Sequence, residues 1–148
     1  MGEPLPHPIR QRWWPNLTDE NHAITSPATD NYNCVAWACE VGDKWLWPGT
    51  LDSYWPAGVA GRDELETIIQ LYLDSSYEKC ESSEREEGYK KVAIYVNQDG
   101  PTHVALQLDS GHWTSKLGRL EDIEHDTPET LEGDFYGRAT IFLRKHRA

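Results

Sequence analysis

Cys34 sits in the run Asn31-Tyr32-Asn33-Cys34-Val35-Ala36-Trp37-Ala38-Cys39. The turn-forming residues Thr29-Asp30-Asn31 precede it, so the pattern predicts a cysteine in the first turn of a short apolar helix. Free N–H groups and a partial positive charge at a helix start stabilise a thiolate. Such a sulfur attacks an acyl carbon once a neighbouring base takes its proton. Six histidines are available as that base. His7 and His146 fall in the tails, His22 in an N-terminal arm, and His112 and His125 near turns. His103 opens the apolar run Thr-His-Val-Ala-Leu, where a strand would hold its ring rigidly. Taken alone, a rim histidine satisfied by backbone or water describes His103 better than a base does.

The elements that must position these residues follow from periodicity. Residues 1–32 carry five of the nine prolines and no sustained period, so they read as an extended arm pinned by Trp13-Trp14-Pro15. Residues 33–148 read as one domain. Val35, Ala36, Trp37, Ala38 and Val41 give a central helix, with Gly42 as its stop. Residues 43–60 form an aromatic loop holding Trp45, Trp47, Tyr54 and Trp55. Those rings either pack as a small local core or line a substrate cleft. Leu65, Ile68, Ile69, Tyr72 and Leu73 make one apolar stripe, which predicts a helix over 62–74. Residues 75–90 are polar and acidic, as in a solvated loop. Strands are predicted over 91–96, 102–108, 112–117 and 135–143, with a tight turn at Asp109-Ser110-Gly111. The acidic stretch 119–134 carries only a short helix at 128–131. Helices first and strands afterwards make an α+β fold.

Composition narrows the function classes. The chain has 148 residues and a formal net charge of −11, from 25 acids and 14 bases. That charge argues against a nucleic-acid or anionic-membrane partner. No run is long and apolar enough to span a bilayer, and the N-terminus lacks signal-peptide character. Three cysteines without an export signal point to free thiols in a reducing cytoplasm. No Cys-x-x-Cys pair occurs. Asp122, Glu124, His125 and Asp126 are suitable metal ligands by type, but they are strung along one stretch with no second cluster. An acidic surface loop accounts for them, so neither metal nor cofactor is expected.

The combination of Asn-Cys at a helix start, a His-Val-Ala strand and a hairpin into a further strand resembles the papain-like cysteine hydrolases. The nearest branch is the compact bacterial amidases and endopeptidases, including the cysteine/histidine-dependent amidohydrolase type. The blocks NYNCVAWA, GYKKVAIY, THVALQL, HWTSKLG and DIEH, with the Trp-Pro loop, look similar to an uncharacterised bacterial domain family of that clan. The resemblance spans about residues 10–144. It implies a central cysteine-bearing helix packed on an antiparallel sheet of about four or more strands. It makes Cys34 the nucleophile and His103 the general base. The clan usually orients that histidine from the next strand, where Ser115 is the positional match. Serine departs from the Asn, Asp, His or Gln expected there, and Asp122 or Glu124 are alternative orienters. Register decides the matter. A turn one residue longer than Ser110-Gly111 puts Ser115 on the face of His103, whereas a two-residue turn puts Thr114 and Lys116 there. Beside the Cys34 N–H, Asn31 or Asn33 would complete an oxyanion hole, although Asn33 fits a helix N-cap equally well. Trp37, Trp47 and Trp55 would contact the substrate. The implied function is hydrolysis or transfer at an amide or acyl bond of a peptide or small amide. The rival is a non-enzymatic module that uses a Trp-lined cleft to hold a protein partner.

Overall fold

The computed structural model describes residues 3–26, 64–98, 100–117 and 121–146. Within them the chain order is α1 (His7–Trp13), β1 (His22–Ser26), α2 (Glu64–Asp74), β2 (Glu78–Cys80), β3 (Tyr89–Asn97), β4 (Gly100–Gln107), β5 (Trp113–Lys116), β6 (Asp122–His125), a 3-10 turn (Pro128–Leu131) and β7 (Arg138–His146). All seven strands join one sheet, in the order β1-β6-β5-β4-β3-β7-β2. Every pairing is antiparallel.

This corrects the expected fold class. The described residues form a mainly β architecture, not the papain-like α+β arrangement of a central helix on about four strands. The residues expected to form that central helix lie outside the described ones. The unforeseen strands are polar. β6 is Asp-Ile-Glu-His, with one apolar side chain, and β2 is Glu-Lys-Cys. Short strands of this kind show no alternation to read, and neighbours already in place recruit them. β1 lies in the segment read as an extended arm, and α1 precedes it. β7 begins and ends three residues later than expected, carrying the basic tail into the sheet.

The two faces of the sheet explain the sequence pattern. Successive side chains of a strand point to opposite faces. On one face Val92, Ile94, Val104, Leu106 and Leu143 pack against Ile68, Leu71 and Tyr72 of α2, of which Ile68 and Tyr72 belong to the stripe seen in the sequence and Leu71 does not. On the other face Ala93, Tyr95, Ala105, Trp113 and Ile123 meet Leu5, Trp14 and Leu17 from the N-terminal segment, together with Leu131 and Tyr136. The sheet is thus covered on both sides, which is why β3 and β4 read as nearly continuous apolar runs. The polar stretch 81–88 is tied down by Lys91. Its ammonium is fully buried, donates to the Ser82 carbonyl at 2.7 Å and pairs with Glu86 at 2.9 Å.

Candidate active site

The β4–β5 hairpin sets the geometry. Leu108 N–H donates to the His112 carbonyl at 2.7 Å, enclosing the three residues Asp109-Ser110-Gly111. Gly111 takes φ +95°, a conformation that suits glycine and fits the third place of such a loop. The strands beyond pair Leu106 with Thr114 and Gln107 with Trp113. Continued by one residue, this register puts Ser115 opposite Ala105, on the face that carries His103. The longer of the two turns considered in the sequence is therefore the one formed.

His103 Nε2 lies 2.9 Å from Ser115 Oγ, and both residues are buried. β6 adds the next member. It pairs Trp113 with His125 and Ser115 with Ile123, so His125 shares the face of Ser115. Ser115 Oγ lies 2.8 Å from His125 Nε2. On its far side, His125 Nδ1 lies 2.9 Å from the Thr127 carbonyl oxygen and 3.1 Å from Thr130 Oγ1. A buried file of polar groups thus crosses three strands, from His103 through Ser115 and His125 to the backbone at Thr127.

The surroundings of His103 are aromatic. Tyr136 stacks on its ring, with centroids 4.3 Å apart and planes within 10°. Tyr95 meets it edge-on at 5.2 Å. Burial, helped by the charge that His125 would carry, lowers the His103 pKa well below the ordinary histidine range. Burial likewise lowers His125 to about 4. Both rings are therefore neutral at pH 7. His103 Nδ1 is buried and makes no hydrogen bond among the described residues. Leaving such an atom unpaired costs about 1–3 kcal/mol, and a catalytic role is one of the explanations such an atom admits.

Of the residues singled out in the sequence, His103 and Ser115 are brought together. Cys34, Asn31, Asn33, Trp37, Trp47 and Trp55 lie outside the described residues. Of the alternative orienters, Glu124 pairs with His112 Nδ1 at 2.9 Å, and Asp122 sits on the opposite face of β6 from His125. That alternation also separates Asp122 and Glu124 from His125 as a ligand set. Among the described residues no group of three His, Cys, Asp or Glu side chains could hold a metal ion. A concavity of about 720 Å³ beside the β1 edge is lined by His22, His112 and the carboxylates of Asp19, Glu20, Glu124 and Asp126, but not by His103 or Ser115.

Sequence reasoning missed His125 by placing it in a loop. The available signal was spacing. In an extended Asp-Ile-Glu-His, Ile123 and His125 share one face, and antiparallel pairing with Trp-Thr-Ser-Lys sets them beside Ser115 and Trp113. Tyr136 was read as an ordinary strand residue. It instead precedes β7, in a loop closed by two hydrogen bonds between Gly133 and Gly137.

One family model, described as a domain of unknown function (DUF7689), matches residues 23–144. No curated protein and no solved structure matches the chain.

Proposed function

The chain belongs to the DUF7689 family, and we propose that it is a thiol-dependent hydrolase or transferase acting on an amide or acyl bond. The observation that carries this reading is His103 Nδ1, a buried ring nitrogen with no partner among the described residues, on a ring already held at Nε2. An imidazole held at one nitrogen and unpaired at the other is the arrangement a general base needs. Cys34 is the nucleophile in this reading, on the strength of the helix start that its sequence predicts and the resemblance of its block to cysteine hydrolases. Its thiol proton passes to Nδ1, the sulfur attacks the carbonyl carbon, and His103 returns the proton to the leaving group. Water, or another acceptor, then releases the acyl group from sulfur. The three cysteines of the chain remain reduced thiols in this reading, as in the cytoplasm. No helix among the described residues is long and apolar enough to cross a membrane.

The test is the rate of alkylation of each cysteine against pH, read by mass spectrometry in the wild type and in His103→Phe, which keeps the stack on Tyr136. Cys34 is expected to react well below pH 8, and His103→Phe to move its profile upward by about one pH unit or more. A Cys34 that titrates like a free thiol, indifferent to His103→Phe, would overturn the reading.

A second reading rests on how completely the ring is enclosed. His103 is 1% exposed and wedged between Tyr95 and Tyr136. A buried polar file can serve only to specify one packing of the core. The chain would then be a binding module. In that case His103→Phe changes stability and leaves the chemistry of every thiol as it was.

A further inference from the structure

We propose that Ser115 and His125 are positioning residues that force the proton of His103 onto Nε2, so that Nδ1 presents a bare lone pair. The inference rests on the hydrolase reading above for its use, but not for its evidence.

The proton positions follow from the far end of the file. The Thr127 carbonyl oxygen can only accept a hydrogen bond. Thr130 Oγ1 already donates its proton to that same oxygen, at 2.6 Å, so toward His125 it too can only accept. Both groups facing His125 Nδ1 therefore require Nδ1–H as the donor. A neutral imidazole carries one N–H, so His125 Nε2 is an acceptor. Ser115 must then donate its hydroxyl proton to His125 Nε2. A hydroxyl has one proton, so the contact between Ser115 Oγ and His103 Nε2 is satisfied only by Nε2–H of His103. What remains on His103 is an unprotonated Nδ1, the atom without a partner among the described residues.

This accounts for serine at a position where the resemblance led to Asn, Asp, His or Gln. A carboxylate accepts directly from the imidazole and needs nothing behind it. A serine hydroxyl can either donate or accept, so on its own it would leave the tautomer of His103 undecided. His125 removes that freedom. The pair does together what a single dedicated acceptor would do alone.

The experiment is a long-range proton–nitrogen correlation spectrum of protein labelled with ¹⁵N-histidine, which reports the tautomer of each neutral ring. In the wild type, His103 is expected as Nε2–H and His125 as Nδ1–H. Ser115→Ala removes the acceptor, and His125→Phe frees the serine to turn round. Each is expected to convert His103 from a single tautomer to a mixture, while Ser115→Thr, which keeps the hydroxyl, restores Nε2–H. A wild-type His103 that carries its proton on Nδ1, or variants that leave it pure Nε2–H, would overturn the proposal. Should the variants not fold, the wild-type spectrum alone decides, because the file demands both assignments at once. An inert Cys34 beside a locked Nε2–H tautomer would sink the hydrolase reading and leave the relay standing. A Cys34 whose reactivity below pH 8 is lost in His103→Phe, beside a wild-type His103 found as a mixture of tautomers, would do the reverse.

Discussion

Replacing Gly137 by alanine is expected to lower the unfolding free energy by about 3 kcal/mol or more, at the severe end for a one-methyl change. Gly137 has φ +78°, where an L side chain is strained. A Cβ built on it also runs into the backbone carbonyl of Val96, a β3 residue whose place is set by pairing on both sides. The contact is with backbone, so no side chain can swing away. Gly88 is the control. It has φ +82°, but a Cβ there meets nothing within 4 Å. Gly88→Ala should therefore cost only the backbone strain, about 1–2 kcal/mol. Urea unfolding of the two variants measures the difference, and equal losses would show that the clash is relieved cheaply. The effect should also reach the site. Gly137 closes the loop that presents Tyr136, and Tyr136 stacks on His103.

Acid is expected to destabilise the protein earlier than carboxylate protonation would. His22, His103 and His125 all have folded-state pKa values below the ordinary histidine value, chiefly because burial penalises the charged ring. The unfolded chain binds protons at these residues near pH 6.5, while the folded chain refuses them until lower pH. Unfolding thus takes up protons in that interval, and stability falls as pH falls from about 6.5. For His125 the interval runs down to about 4. A shift of that size corresponds to about 3 kcal/mol lost across it. The Glu86 carboxyl is held below the usual carboxylate range, first by the hydrogen bond from Lys91 and also by Arg144. Unfolding free energies at pH 7, 6, 5 and 4 should trace the decline, and His125→Phe should flatten it. A stability that is level between pH 7 and 5 would contradict the buried neutral rings.

Local chemistry made some of this legible in advance. The stripe Leu65, Ile68, Ile69, Tyr72 and Leu73 marks the side of α2 that packs on the sheet, with Ile68 and Tyr72 buried and the other three partly so, because 3.6-residue periodicity is a property of neighbouring residues alone. The β-forming run 91–96 and the Asp109-Ser110-Gly111 turn were readable for the same reason. The polar strands were not. Nothing in Asp-Ile-Glu-His favours a strand until β1 and β5 stand on either side of it. The fold class went astray with them, since three of the seven strands, β1, β2 and β6, carry too little alternation to be counted from sequence.

The candidate site divides along the same line. By itself the sequence determined which groups are present: a histidine on an apolar strand, a serine on the next, and a turn whose length would decide whether they meet. Only the tertiary structure decided that they do meet, that His125 stands behind the serine, and that Tyr95 and Tyr136 enclose the ring. The physical reason is that side-chain direction in a strand has period two. A one-residue change of register turns every polar group to the opposite face, and register is settled between strands rather than within them.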